Sequence, residues 1–171
     1  LFKMVASSSL IKIGTPITNF ALSVGLPVQG IIRNTIYKQF CGGETIQGCD
    51  HAIAELGKGN VTTILDYSVE GEDSEESFDA CCNEVLASVK YATLNKLISF
   101  CVFKPTGVGR FDLLAKIDAK ETLTTEEKEE FARLMDRCDR ICKACHKAGI
   151  PVLIDAEHSW IQDTIDDIAR I

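Results

Sequence analysis

The chain has 171 residues, 46% apolar and 25% charged, a composition typical of one folded domain with a sizeable core. Its net charge of −7 argues against a broad surface for nucleic-acid phosphates, so no nucleic-acid partner is expected. The charge is uneven, because residues 1–60 carry 5 basic and 3 acidic side chains whereas residues 61–171 carry 13 and 22. No run of eighteen apolar residues occurs, which excludes a membrane-spanning helix.

The eight cysteines are interpreted as reduced thiols that pack as small apolar side chains. Cys81 and Cys82 are adjacent, and Cys138, Cys142 and Cys145 fall on one predicted helix, which is poor geometry for disulfides. No signal-peptide pattern is visible at the amino terminus. The same helix contains the C-x-x-C-H spacing of covalent haem attachment, but a helical setting favours core packing over haem or zinc, and no metal site is predicted.

Residues 1–58 are predicted to form an amino-terminal helical segment. Apolar spacing and turn residues place three helices in it: residues 1–23, residues 27–39 ending before Gly42 and Gly43, and residues 45–56.

From residue 59 onward, three short apolar strands alternate with helices. The strands are predicted at 61–66, 98–103 and 150–154. The helices are predicted at 74–95 with Asp73 as N-cap, around 111–116, from a capping box at Thr124 and Glu127 to Gly149, and at 159–171 with Ser159 and Gln162 as a box. This order predicts an α/β fold with a parallel sheet, right-handed crossovers and helices on both faces.

Charged residues stand where each predicted strand ends. Asp66, Lys104 and Asp155 each follow an apolar run, and parallel α/β sheets bind ligands at the carboxyl ends of their strands. One such charge alone could simply mark where a strand emerges into water. Three in succession, with both signs represented, favour a binding or catalytic site.

Three further residues lie close in sequence to these strand ends and are also considered as members of the site. Glu70 could face the same opening as Asp66. Glu157 and His158 could hold a metal or supply a base, but an ordinary acidic first helical turn with a solvent-facing histidine is favoured for both.

Several separated segments together resemble the proline dehydrogenase (proline oxidase) family. They are LPVQGIIRNTIYKQFCGGET (26–45), LDYSVEGEDSEESFD (65–79), FKPTGVGRFDLLAKI (103–117), LTTEEKEEFARLMDRCDRIC (123–142) and IDAEHSWIQDTIDDIA (154–169), in the family's order. The resemblance implies a (β/α)8 TIM-type barrel with non-covalent FAD. It also implies oxidation of L-proline to Δ1-pyrroline-5-carboxylate in proline catabolism, with electrons passed to a membrane quinone.

The resemblance also implies roles for individual residues. Asp155 matches the active-site aspartate beside the flavin, so it is the expected catalytic residue, and Ala156 matches a position that contacts FAD. Lys104 matches the lysine that helps bind the substrate carboxylate. Asp66 matches the acidic tip of the first barrel strand, where it would line the site.

Only three strands are predicted, whereas a closed barrel needs eight. Residues 59–171 are therefore expected to be the first three βα units, with residues 1–58 packed outside the barrel. The chain alone is expected to be inactive and to self-associate, and the alternative function is an inactive truncated barrel acting as an interaction module. The expected location is cytoplasmic or peripheral on the inner face of a membrane, which in a eukaryote is the matrix side of the mitochondrial membrane. The composition of the helical segment fits either peripheral contact with a membrane or ordinary burial within the protein, and burial is favoured.

Overall fold

The computed structural model describes residues 8–67 and 71–170. The chain divides into two compact units, Leu1–Cys49 and Asp50–Ile171. Part of the predicted first helix, residues 1–7, and Glu70 lie outside the described residues.

The first unit is helical, as the sequence predicts, but its second helix is interrupted. Helix α1 (Ser8–Ser23) is followed by α2 (Gln29–Ile32), a π-helical turn (Arg33–Tyr37), α3 (Lys38–Phe40) and a 3-10 turn (Gln47–Cys49). Gly43 lies so close to the backbone of Gly48 that a Cβ there would be 2.5 Å from its carbonyl carbon. A side chain at position 43 would therefore force this loop apart.

The second unit contains a three-stranded sheet and its connecting helices. In chain order it has α4 (Asp50–Lys58), β1 (Thr63–Leu65), α5 (Glu75–Leu94), β2 (Ile98–Phe103), α6 (Pro105–Val108), α7 (Phe111–Asp118), α8 (Thr125–Ala148), β3 (Val152–Ile154), a 3-10 turn (Ser159–Ile161) and α9 (Gln162–Arg170). The strands lie in the order β1-β2-β3, and both pairings are parallel. The predicted α/β class and parallel sheet are confirmed.

Some of the residues predicted to cap the helices are confirmed and others are wrong. The capping box of α8 is confirmed, because the Thr124 hydroxyl accepts from the Glu127 N–H (3.2 Å) and the Glu127 carboxylate accepts from the Thr124 N–H (2.8 Å). Gly149 ends this helix with φ of 67°, a left-handed conformation that glycine adopts readily. For α5 the N-cap is Ser74 and not Asp73, since the Ser74 hydroxyl accepts from the backbone of the residue three positions later.

The predicted capping box at Ser159 and Gln162 is wrong. Ser159 begins a 3-10 turn, and the residue before it, His158, makes no side-chain capping bond. The α-helix α9 begins only at Gln162. A Ser-x-x-Gln spacing is a local pattern, and it does not distinguish a 3-10 turn from the first turn of an α-helix.

The prediction that helices cover both faces of the sheet is wrong for the described residues. On one face, Cys101 and Phe103 are buried, as is Cys145 on α8. On the other face, Ile64, Phe100 and Leu153 are 44%, 37% and 41% exposed. We call the surface formed by these three residues the open face.

The strand order explains why one face stays open. Right-handed crossovers that progress in one direction, from β1 to β2 to β3, place both connecting helices on the same side of the sheet. Helices cover both faces only where the direction of winding reverses. The alternation of apolar runs and helices along the sequence does not show in which direction successive strands are added to the sheet.

The predicted packing of cysteines as small apolar side chains is confirmed for five of them. Cys81, Cys82, Cys101, Cys138 and Cys145 are buried, and all eight cysteines are free thiols. Desolvation by burial raises the pKa of Cys81 to about 11 and that of Cys138 to about 12. These two thiols are therefore protonated at neutral pH and unreactive as nucleophiles.

A buried arginine joins the two long helices, which nothing in the sequence indicates. Arg137 on α8 donates through Nε to Asp79 on α5 (2.7 Å) and through Nη1 to the Val108 carbonyl (3.2 Å), and it also pairs with the Glu75 carboxylate. Its guanidinium carbon lies 5.7 Å from the centre of the Phe78 ring. Burial is tolerable because each side of the guanidinium has a partner.

Candidate functional site

Lys104 and Asp155 occupy equivalent positions at the carboxyl ends of two adjacent strands. Phe103 of β2 pairs with Ile154 of β3, so the next residue of each strand follows in register. The Asp155 N–H donates to the Phe103 carbonyl (3.0 Å), and Lys104 Nζ donates to Asp155 Oδ2 in an ion pair. The two charges thus meet at one end of the sheet, as expected for residues that follow adjacent parallel strands.

The ammonium of Lys104 is a partly buried cation in an acidic environment. Its side chain is 17% exposed, whereas that of Asp155 is 42% exposed. The hydrogen bond that the Lys104 ammonium donates to Asp155 raises the pKa of Lys104 against the opposing effect of desolvation, and the charges of Asp155, Asp66 and Glu157 raise it further. Lys104 is therefore charged at neutral pH, with three carboxylates around it.

Glu157 is a site residue whose surroundings the sequence does not reveal. Its carboxylate accepts a hydrogen bond from the Thr106 backbone N–H (3.2 Å) and another from the Thr106 hydroxyl. These groups belong to the first turn of α6, where Pro105 begins the helix and Lys104 makes no side-chain capping bond. The expectation that Glu157 belongs to an ordinary first turn of its own helix is wrong, because it caps another helix, 51 residues away.

The strand register could have revealed this contact. Since Lys104 lies beside Asp155, residues two positions further along each chain also come together. That reasoning needs the register in advance, and apolar runs of uncertain length do not supply it.

His158 and Ala156 lie on the exposed side of the same loop. His158 is exposed, as the sequence predicts, but its ring stacks on Trp160 at 4.6 Å and meets Phe111 edge-on at 5.4 Å. Ala156 is exposed directly after Asp155.

The open face and the strand-end charges form one continuous surface. Side chains alternate along a strand, so Lys104 projects on the side of Phe100, and Asp155 on the side of Leu153. By the same alternation Asp66 follows Ile64 on β1. The result is an apolar floor with a charged rim at the carboxyl ends of the strands.

Within residues 8–67 and 71–170, no group of three or more His, Cys, Asp or Glu residues is placed to hold a metal ion. The hydrogen-bonding groups at the rim are one ammonium, three carboxylates and one threonine.

A family model described as proline dehydrogenase matches residues 49–171. Among curated proteins, the chain is 27% identical over 84% of its length to "Proline dehydrogenase 1, mitochondrial" of Dictyostelium discoideum, covering 32% of that protein. It is 26% identical over 81% of its length to "Carbapenem antibiotics biosynthesis protein CarD" of Pectobacterium carotovorum, covering 37%. "Proline dehydrogenase 1, mitochondrial" of Arabidopsis thaliana is 23% identical over 83% of this chain, which covers 36% of that relative. The chain thus spans about a third of the length of these relatives, and the resemblance seen in the sequence is confirmed.

Proposed function

The chain belongs to the proline dehydrogenase family, and on that premise we propose that the protein oxidises L-proline to Δ1-pyrroline-5-carboxylate in proline catabolism. In this reaction proline loses two electrons and two protons, one hydrogen from the ring carbon beside nitrogen and one from nitrogen. The observation that carries the proposal is the Lys104–Asp155 pair at the rim of the open face. The family membership does not favour the alternative of an inactive interaction module.

Lys104 is the proposed partner of the substrate carboxylate. Its ammonium is charged and only partly exposed. A carboxylate that binds there displaces little water from the ammonium and accepts a strong charge-assisted hydrogen bond from it. An arriving carboxylate also meets Asp155, Asp66 and Glu157, all of which repel it. The positive charge of Lys104 is therefore what allows an anion to bind at the rim.

Asp155 is the proposed catalytic residue because it adjoins both the ammonium and the open face. Its hydrogen bond holds the Lys104 ammonium at the rim, and its half-exposed carboxylate has room for a second donor. A carboxylate here would also stabilise the positive charge that develops on the ring nitrogen as hydride leaves the neighbouring ring carbon. Asp66, at the end of β1, lines the same rim in this proposal and adds to its negative charge.

The sheet is proposed to be the first three βα units of a (β/α)8 barrel, following the helical segment 1–58. Two observations support this: the strands progress in one direction, and one face of the sheet is apolar and uncovered in the described chain. In a closed barrel that face would be the packed interior, and the charged rim would lie at the carboxyl-terminal mouth where such enzymes bind ligands.

FAD is the proposed cofactor, and the residues present fit one side of it. The rim at the carboxyl ends of the strands offers the Lys104 ammonium as a donor and carboxylates as acceptors. Asp155 and Ala156 would hold it in this part of the chain. Bound FAD supplies a two-electron acceptor. Transfer of electrons onward to a membrane quinone is part of the same proposal.

A location on the inner face of a membrane, the mitochondrial matrix side in a eukaryote, is also proposed. Relatives from Dictyostelium discoideum and Arabidopsis thaliana are named as mitochondrial proteins. In the described part of the chain, no helix has the length and apolar character needed to cross a membrane.

The experiment that tests this function is an absorbance spectrum of the intact protein with and without L-proline under anaerobic conditions. We expect flavin absorbance that bleaches on addition of L-proline, because two electrons leave the substrate. Glycine, which lacks the ring, serves as the control amino acid. A preparation without flavin, or a flavin that L-proline leaves oxidised, would contradict the proposal.

A second expected result concerns residues 1–171 purified alone. The open face should drive self-association, so the chain should elute above its 18.8 kDa mass, colourless and unable to oxidise proline. Light scattering measures the mass. Phe100→Asp combined with Leu153→Asp should restore the monomer, whereas a monomeric unsubstituted chain would show that the open face is not a site of association.

A further inference from the structure

We propose that Glu157 is a positioning residue that sets the location of Lys104 by holding the first turn of α6 against the end of β3. The inference deepens the proposed function, because it rests on Lys104 being the residue that binds the substrate carboxylate. Nothing in the local sequence around Glu157 indicates this role.

Two parallel ties connect the end of β2 to the end of β3. The first is the ion pair of Lys104 with Asp155, and the second joins Thr106 to Glu157 through both the backbone N–H and the hydroxyl of the threonine. The second tie acts on the backbone two residues beyond Lys104. It therefore restrains the chain from which the lysine side chain projects, independently of the first tie.

The other end of α6 is also held. The carbonyl of Val108 accepts from Arg137 Nη1 (3.2 Å), and Gly109 packs so closely on α8 that a Cβ there would lie 2.1 Å from Leu134 Cδ1. The four-residue helix α6 is thus clamped at both ends. Of the two clamps, Glu157 is the nearer to Lys104 and the one that belongs to the rim.

This restraint matters because lysine is flexible. Four rotatable bonds separate the Lys104 backbone from its ammonium, so a small shift of the backbone changes which carboxylate the ammonium reaches. Thr106 donates hydrogen bonds to both carboxylate oxygens of Glu157, and Lys104 donates its hydrogen bond to Asp155. Glu157 and Thr106 together therefore define the partner and the position of the ammonium.

The test measures the position of Lys104 without relying on catalysis. The intact protein is treated with a limiting amount of an acetylating reagent at neutral pH, and acetylation of Lys104 is quantified by peptide mass spectrometry. In the unsubstituted protein Lys104 should be protected, because it is partly buried and paired. Glu157→Ala should raise the rate of its acetylation by about tenfold, the effect of losing a charge-assisted restraint.

Two variants accompany Glu157→Ala in this experiment. Glu157→Gln retains an oxygen acceptor for the Thr106 N–H and should keep Lys104 protected. Glu129→Ala removes an exposed carboxylate on α8 and should change nothing, which controls for net charge. If Glu157→Ala fails to fold, Thr106→Val removes one of the two hydrogen bonds and should raise the acetylation of Lys104 severalfold. Unchanged acetylation in the folded variant that is tested would overturn the proposal.

Steady-state kinetics separate the positioning role from a purely structural one. Glu157→Ala should raise KM for L-proline about tenfold with kcat nearly unchanged, and Glu157→Gln should restore KM. A loss of active protein with KM unchanged and Lys104 still protected would show a structural role only and overturn the inference. Increased acetylation with unchanged KM would support the positioning of Lys104 and contradict its role in binding proline, which belongs to the proposed function.

Discussion

Lys104→Ala in the intact protein is expected to raise KM for L-proline by about a hundredfold and to lower kcat much less. The substitution removes the cation of the rim and leaves Asp155, Asp66 and Glu157 facing the substrate carboxylate. Binding is lost in the ground state and the transition state alike, so the effect should fall on KM. Steady-state kinetics over a wide range of proline concentration measure it.

The matched control is Lys116→Ala, which removes the same side chain from α7. Lys116 pairs with Glu127 at 2.9 Å, away from the strand ends, so its loss should leave KM unchanged. The Lys104→Ala protein should fold, because Asp155 is exposed enough to be hydrated without its partner. An unchanged KM in a folded Lys104→Ala protein would remove Lys104 from the substrate site.

Arg137→Ala is expected to lower the free energy of unfolding by about 3 kcal/mol. Only 4% of the arginine side chain is exposed, and its loss leaves a cavity beside Phe78. It also leaves the Val108 carbonyl without this donor. Urea denaturation followed by circular dichroism measures the change.

Arg133→Ala is the control for this prediction because Arg133 pairs with the same carboxylate, that of Glu75. Its side chain is 47% exposed, and exposed ion pairs of this kind contribute little to stability because water screens the two charges. The comparison thus separates burial from ion pairing. Equal losses for the Arg133 and Arg137 variants would mean that the buried contacts of Arg137 contribute nothing measurable.

Short-range patterns allowed the parallel α/β class and the Lys104–Asp155 pair to be predicted. A charged residue after an apolar run marks a strand end, and parallel strands bring such ends to one edge of the sheet. Which of these ends are adjacent depends on the strand order, which the structure supplies. The capping box at Thr124 was predictable because its two hydrogen bonds lie within one turn. The sequence motifs also carried the family resemblance that the comparison confirms.

Other features depend on contacts between residues that are distant in sequence. Glu157 meets Thr106 only through the register of β2 with β3, and Arg137 meets Asp79 and Val108 only once α5, α6 and α8 have packed. A glutamate in an acidic loop and an arginine on a charged helix have the same local patterns whether they are solvated or buried.

The sequence by itself therefore determined the order of strands and helices from residue 59 onward and which charges end the strands, because those properties depend on a few adjacent side chains. The tertiary structure alone decided that one face of the sheet is open and that Glu157 caps α6. Both depend on the direction in which successive strands are added and on their register, which are set by packing across the whole unit.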